Sequence, residues 1–560
     1  MKILSALQLQ LYSRLGLSNE MKTSQGLLAL TAAAAPSLAA EALLAKPPMG
    51  FNNWARFTCN LNQTVFTETA DAMASNGLLA AGYDRINIDD CWPLHKRAAD
   101  GSLQWNATLF PDGMPWLGSY LKERGFHFGI YSDAGTFTCG GYPGSLGFEE
   151  IDAATFESWG VDYLKLDGCY VSPFTTKRYK EIYSHWHDVL SKMSKPLIFS
   201  ESAPAYFSGN KQGNNKDWYD VMNWVPEYGE LARHSDDIPN FGDSTAWGGV
   251  TTNYDFHTLL ARLQKPGFFN DPDFLIADHP KLTLTERKAQ FALWCSFSAP
   301  LIISAWIPAL DKEMLDVLKN EHLIAINQDP LALQATLVSQ DGKWDVLSKS
   351  LSNGDRVLTI LNRQAQDDKL FVPFERAGYP ADPAGTQEFN VTDLWTGKSD
   401  TSTAKGLTVN VPSHGVQVYR ISALYGGGRD VVVPTGMVFN TASRKCLTAG
   451  TDGSTVSLDT CTASDSQVWR VNGDGSMHSL AFPNNCLGSA SNGGVASLKT
   501  CDNTPAREQQ WQYQTTGHIM NSGVSGTCLT AGDNGSVVIV ACGGDPNKQV
   551  FEMPSGSLSG

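Results

Sequence analysis

The sequence predicts an α/β protein with an N-terminal (β/α)8 barrel and a C-terminal module of three β-rich repeats. Short β-rich runs alternate with helical stretches from Pro47 to about residue 330, the pattern of a closed parallel barrel. Six of the 11 cysteines recur at a fixed spacing near the C-terminus. At 560 residues and 42% hydrophobic, the chain is long and apolar enough for several cores. Its net charge of −15 repels phosphate backbones, so nucleic acid is excluded as a partner.

Residues 1–40 read as a signal peptide region. Lys22 precedes the apolar run Gly26–Ala35, small residues follow from Pro36 to Ala40, and Met21 offers a second candidate start. The uncharged stretch Phe291–Leu310 contains Pro300 and Pro308 and reads as a buried helix followed by a buried strand, so no membrane span is expected. A soluble, secreted protein follows, and sequons at Asn62, Asn106, Asn390 and Asn534 fit export.

The expected barrel strands are Gly50–Ala55, Arg85–Cys91, His127–Asp133, Tyr163–Cys169, Pro196–Ser202, Val221–Pro226, Phe268–Phe274 and Pro300–Ala305. Polar residues collect at their C-terminal ends: Asp89 and Asp90, Tyr131 and Asp133, Lys165 and Asp167, Asp271 and Asp273. Apolar strands ending in carboxylates are costly unless those carboxylates line a wet pocket. There is no phosphate loop, no G-x-S-x-G elbow, and no C-x2-C or H-E-x-x-H metal spacing, so neither metal nor cofactor is expected. Paired carboxylates without a metal are the equipment of glycoside hydrolysis.

In the C-terminal module, cysteine pairs separated by 15, 15 and 14 residues are each followed by Gln-x-aromatic: Gln467-Val-Trp469, Gln509-Gln-Trp511 and Gln549-Val-Phe551. Each Gln is expected to satisfy a turn while the aromatic fills the core. The pattern resembles the ricin-B-type β-trefoil lectin domain, which implies the pairs Cys446–Cys461, Cys486–Cys501 and Cys528–Cys542. That family's sugar sites usually carry an acid after the first cysteine of a repeat, where this chain has Thr448, Gly488 and Thr530. A carbohydrate ligand on the trefoil therefore stays open beside a purely structural role.

Pro47-Pro-Met-Gly-Phe-Asn-Asn-Trp54, Ile88-Asp-Asp-Cys-Trp92, Tyr163-Leu-Lys-Leu-Asp-Gly-Cys169 and Asn270-Asp-Pro-Asp273 resemble glycoside hydrolase family 27, of the fungal α-galactosidase A type. The resemblance implies a barrel over 47–330 and an antiparallel β-sandwich over 331–422. A Gly-rich linker over 423–431 and the trefoil over 432–555 complete the chain. It implies Asp167 as nucleophile and Asp237 as acid/base. Asp236 is adjacent, but the spacing from Arg233 and the following Ile238 select Asp237. Asp89 and Asp90 are expected to hold the 4- and 6-hydroxyls and Lys165 further hydroxyls. Trp54 and Tyr131 would line the sugar, with Arg233 and Asp273 near its 2-position. Cys59–Cys91 and Cys139–Cys169 match the family's disulfides. Cys295 is left as the free thiol.

The implied activity is retaining removal of terminal α-D-galactosyl residues from galactosides. One departure bears on specificity. Ser202-Ala-Pro-Ala205-Tyr206 stands where animal α-galactosidases carry a Glu and a Leu. The smaller Ser202 and Ala205 leave room for an N-acetyl group, so α-N-acetylgalactosaminidase activity stays open, as does a non-hydrolytic galactose-binding lectin.

Overall fold

The computed structural model describes residues 43–208, 215–382, 384–424, 432–489, 492–501 and 505–558. The signal peptide region and most of the linker, residues 425–431, lie outside them. Among the described residues no helix is long and apolar enough to cross a membrane.

Eight parallel strands form the first sheet: β1 (Met49–Asn52), β2 (Arg85–Asn87), β3 (His127–Asp133), β4 (Tyr163–Asp167), β5 (Ile198–Glu201), β6 (Leu231–Arg233), β7 (Phe269–Asp271) and β8 (Leu301–Ile303). They run in the order β7-β6-β5-β4-β3-β2-β1-β8. Leu275 closes the ring by donating to the Ile302 carbonyl at 2.8 Å and accepting from Ser304 N at 2.9 Å. The result is a TIM-type barrel, with α1 (Trp54–Phe57) directly following β1.

The two-residue period of the strands explains where the polar residues go. Tyr163, Ile198, Leu231 and Phe269 pack together at the bottom of the barrel interior. Two and four residues further along the same faces come Lys165 and Asp167, Ser200 and Ser202, Arg233, and Asp271 and Asp273. The floor is apolar and the mouth is charged.

One expected strand is corrected. Val221–Pro226 is not β6; it is the end of α6 (Lys216–Trp224) and the start of the 3-10 turn after it (Val225–Glu227). Trp218, Val221, Met222 and Val225 are buried at helical spacing. The true sixth strand is the three-residue Leu231–Arg233, too short to stand out in sequence. The other seven segments each overlap a strand, and Phe291–Leu310 spans the end of α8 (Leu284–Ser296) and all of β8.

By the same alternation Glu201 points outward into the helix layer. It is fully buried, and neither carboxylate oxygen has a hydrogen-bond partner. Burial, followed by the charge of Glu230, pushes its carboxyl well above the usual range. Below the ordinary carboxyl range, folded and unfolded chains both hold this proton. Above it only the unfolded chain releases it, so stability falls as pH rises. Glu201→Gln is expected to shrink the drop in thermal midpoint between pH 5 and pH 7.5 by on the order of 2 °C. An unchanged drop would mean that Glu201 ionises freely in the fold.

The second region is antiparallel: β9 (Thr336–Gln340), β10 (Trp344–Ser350), β11 (Arg356–Asn362), β13 (Phe389–Asp393), β14 (Ser399–Ser402) and β16 (Val416–Ala423) form a six-stranded sheet in the order β14-β13-β16-β11-β10-β9, which shares a core with the pair β12 (Asp368–Pro373) and β15 (Gly406–Val411). It joins the barrel through α8, where Ser296 and Thr359 hydroxyls meet at 2.7 Å. The last region, β17 (Thr435–Met437) to β29 (Phe551–Glu552), sets three small antiparallel sheets around one buried core, the architecture of a trefoil. Trp469 and Trp511 donate their indole N–H to the carbonyls of Leu447 and Leu487. Gln467, Gln509 and Gln549 each bond turn backbone as expected. Gln467 and Gln549 also engage Thr448 and Thr530, two of the positions that lack the acid.

The trefoil is seated on the barrel. Tyr219 of α6 meets Thr441 at 2.6 Å, and the fully buried Arg262 and Glu552 lie 3.6 Å apart. Burial pushes Glu552 up to about 8 although Arg262 pulls it down. The structure joins Cys59–Cys91, Cys139–Cys169, Cys446–Cys461, Cys486–Cys501 and Cys528–Cys542, and leaves Cys295 free and buried. Asn62 and Asn534 are exposed, while Asn106 and Asn390 are half-buried.

Candidate active site

The mouth of the barrel gathers Trp54, Asp89, Asp90, Tyr131, Lys165, Asp167, Ser202, Ala205, Tyr206, Arg233, Asp237 and Asp273 from the ends of seven successive strands. Asp167 ends β4. Its Oδ2 accepts from Tyr131 Oη at 3.1 Å, and its Oδ1 accepts from Tyr206 Oη and, at 3.1 Å, from Gly168 N. The Cys139–Cys169 disulfide lies beside it, with Cys139 Sγ 3.6 Å from Oδ2.

Helix α5 (Thr176–Leu190) fixes the backbone underneath. Tyr179 Oη donates to the Gly168 carbonyl at 2.6 Å, and Tyr183 Oη donates to those of Leu166 and Asp167 at 3.1 and 2.9 Å. These two tyrosines are one helical turn apart, so one face of α5 clamps three consecutive carbonyls. Gly168 is required here: a Cβ would come 2.7 Å from the Tyr179 ring and 2.9 Å from that of Tyr206. Sequence reading missed both α5 tyrosines, whose i, i+4 spacing was the available signal.

Lys165 donates to Asp89 Oδ2 at 2.7 Å, and the same oxygen accepts from Asn52 Nδ2 at 2.8 Å. Asn53 Oδ1 in turn receives Asp89 N at 2.8 Å. The Asn-Asn pair before Trp54 thus orients Asp89, a function that sequence reading did not assign. Asp90 accepts Cys91 N at 2.6 Å and Gly140 N at 2.7 Å. Asp133 serves the loops, accepting Gly135 N and Cys169 N.

On the opposite wall Arg233 stands between two carboxylates, 2.9 Å from Asp237 Oδ1 and 2.9 Å from Asp273 Oδ2. Asp273 has φ +77° and is held by Ile238 N at 2.7 Å and Phe274 N at 2.9 Å. Ser202 is buried, and its Oγ has no hydrogen-bond partner; Arg233 Nε likewise has none. These two groups sit on neighbouring strands in matching register, since Glu201 pairs with Ala232.

Burial pushes Asp167 up; Lys165 and Tyr206 pull it back while the charge of Asp237 adds to the rise. Desolvation also acts upward on Asp237, but its side chain is 65% exposed at the mouth and the Arg233 guanidinium outweighs it, so this carboxyl sits below the usual range. Burial lifts Asp273 to about 6 against the pull of Arg233. Burial would lower Lys165, but the Asp89 and Asp167 charges reverse that and leave it raised. The negative charge of Asp237 thus adds to what disfavours ionisation of Asp167. Two carboxylates, a buried cation on each side and hydroxyl donors aimed at one of them suit acid/base and nucleophilic chemistry on an uncharged polyol.

Comparison with known proteins matches all three regions of the chain. Residues 46–329 match the alpha galactosidase A family, 341–421 the alpha galactosidase C-terminal β-sandwich domain, and 434–551 the ricin-type β-trefoil lectin domain. An alpha-galactosidase A of Aspergillus niger is 52% identical over 95% of this chain and 97% of its own length. An alpha-galactosidase 2 of Arabidopsis thaliana is 36% identical over 68% of this chain and 90% of its own. The crystal structure of alpha-galactosidase I from Mortierella vinacea superposes with a TM-score of 0.61 at 26% identity, covering 68% of this chain and 98% of that one. With matches along the barrel, the sandwich and the trefoil, the chain belongs to the α-galactosidase A family of glycoside hydrolases.

Proposed function

We propose that the chain is a secreted, retaining exo-glycosidase that removes terminal α-D-galactosyl residues by double displacement at Asp167 and Asp237. The observation that carries this is the asymmetric treatment of the two carboxylates. Asp167 receives two tyrosine hydroxyls and a backbone N–H, which hold its two oxygens in place for attack. Asp237 is open to the mouth, where the leaving group and then water must pass.

In the first half-reaction the Asp167 carboxylate attacks the anomeric carbon while Asp237 gives its proton to the departing oxygen. A glycosyl ester on Asp167 results. In the second, Asp237 takes a proton from water, which attacks the same carbon and releases Asp167. The first half-reaction needs a proton on Asp237, whereas Arg233 holds Asp237 ionised in the free site. Arg233 also faces the sugar's 2-position, so substrate there draws its donors away from Asp237 and lets the proton move across.

Asp89, Asp90 and Lys165 supply acceptors and a donor for the 4- and 6-hydroxyls. An epimer at carbon 4 would leave the buried Asp89–Lys165 pair mismatched.

A second reading, that α-N-acetylgalactosaminides are also cleaved or preferred, is favoured by Ser202 and Arg233. Each keeps a buried polar atom without a partner, and Ala205 adds little bulk beside them. An acetamido group would meet those atoms, whereas a lone hydroxyl would leave space for water.

The experiment compares kcat/KM for the 4-nitrophenyl α-galactoside and α-N-acetylgalactosaminide on one preparation, with product configuration followed by NMR. Release of the α-anomer first from the galactoside is expected. Release of the β-anomer would overturn retention, and failure to cleave either glycoside would restore the binding-protein alternative.

A further inference from the structure

Resting on the glycosidase reading, the structure assigns a second sugar-binding surface: Phe137 and Tyr170, with Phe174 on the same loop as Tyr170, form the subsite for the ring of the leaving group. These side chains are 49%, 60% and 58% exposed, unlike most large aromatics of the barrel. Of the other large aromatic side chains exposed among the described residues, Trp116 and Phe371 lie on different parts of the fold.

Phe137 and Tyr170 lie on two loops, after β3 and after β4, that the Cys139–Cys169 disulfide ties together. Their rings meet edge to face at 5.9 Å. Phe174 is different in kind. It stacks on Phe207 at 4.9 Å and meets Tyr179 edge-on at 5.6 Å, so it is supported from below while its outer face stays open.

The surface is continuous with the reaction centre. Cys169 sits between Gly168 and Tyr170, its Sγ is 3.3 Å from Tyr206 Oη, and Tyr206 donates to Asp167. Tyr170 also holds φ at +52°, a conformation disfavoured for a bulky residue. Gly135 packs closely against this backbone: a Cβ there would come 2.0 Å from the Cys169 carbonyl oxygen and 2.7 Å from the Tyr170 carbonyl carbon. A strained backbone that presents an aromatic ring to solvent has no core to fill, and strain of this kind collects at ligand sites.

The occupant is therefore a pyranose attached through the scissile oxygen. Its C–H face matches the rings, and its hydroxyls remain in water at the rim.

The test uses the full chain with Phe137→Ala, Tyr170→Ala and the double variant. Two donors are compared: melibiose, whose leaving group is a glucose, and α-galactosyl fluoride, whose leaving group has no ring. Inhibition by free galactose reports the site beyond the scissile bond. The double variant is expected to lose about 10-fold or more in kcat/KM on melibiose, chiefly through KM. On the fluoride it should stay within about twofold of wild type, with galactose inhibition unchanged. Equal losses on both donors would show that the rings only support the catalytic pocket. No loss on melibiose would give the patch to another partner. Either result overturns the assignment. Wild-type enzyme that cleaves neither donor would instead defeat the proposed function.

Discussion

Asp167→Ala is expected to lower kcat/KM on α-galactosides by at least about 10^4-fold while leaving the thermal midpoint and galactose binding close to wild type. The loss is large because every donor around this carboxylate acts through it. Tyr131, Tyr206 and Gly168 N converge on its two oxygens and reach no other anion in the pocket. Removing the carboxyl also leaves a space for a small external nucleophile. Azide added to Asp167→Ala should restore turnover and yield the β-galactosyl azide, since it attacks from the face that Asp167 occupied. Azide added to Asp237→Ala should instead give the α-azide, because it intercepts the glycosyl ester. Wild-type turnover by Asp167→Ala, or the same anomer from both variants, would contradict the assignment of roles.

The second large effect lies at the 2-position. Ser202→Glu with Ala205→Leu is expected to cut kcat/KM for the α-N-acetylgalactosaminide by at least about 100-fold and to hold that for the α-galactoside within about tenfold. Ser202 is almost wholly enclosed, so a longer side chain there must occupy the space an acetamido group would use. Arg233, next to it on β6, carries an unpaired Nε that the new carboxylate can satisfy, so the variant is expected to fold. The ratio of the two activities is the readout, because a general loss of stability would lower both together. An unchanged ratio would mean that the room beside Ser202 is not where the 2-substituent goes.

Much of this site can be read from strand ends alone. Tyr163-Leu-Lys-Leu-Asp places Lys165 and Asp167 on one inward face by simple alternation, and the structure keeps that face from the apolar floor to the charged mouth. Strand six is harder, because Leu231–Arg233 has only three residues while the nearby Val221–Pro226 is a richer apolar run. Burial of that run comes from packing α6 against the barrel, which no local propensity encodes.

The pairing of Lys165 with Asp89 was hidden for a related reason. They sit on β4 and β2 with β3 between them, so only the closed curvature of the barrel brings their tips together. Asp167 lies two residues from Lys165 on the same strand face, yet the direct hydrogen bond of Lys165 goes to Asp89. Glu201 shows the limit most plainly. It neighbours Ser202 in sequence and faces the opposite way, so the same alternation that fills the pocket buries a carboxyl without a partner behind it.

The central claim, that Asp167 carries the sugar through the reaction, is tested most directly by trapping the intermediate. Incubation with a fluorinated α-galactosyl donor that slows the second half-reaction, followed by proteolysis and mass spectrometry, should find one fluorogalactosyl group per chain on the peptide containing Asp167. A label on any other carboxylate, or rapid turnover without a label and with release of the β-anomer, would contradict it.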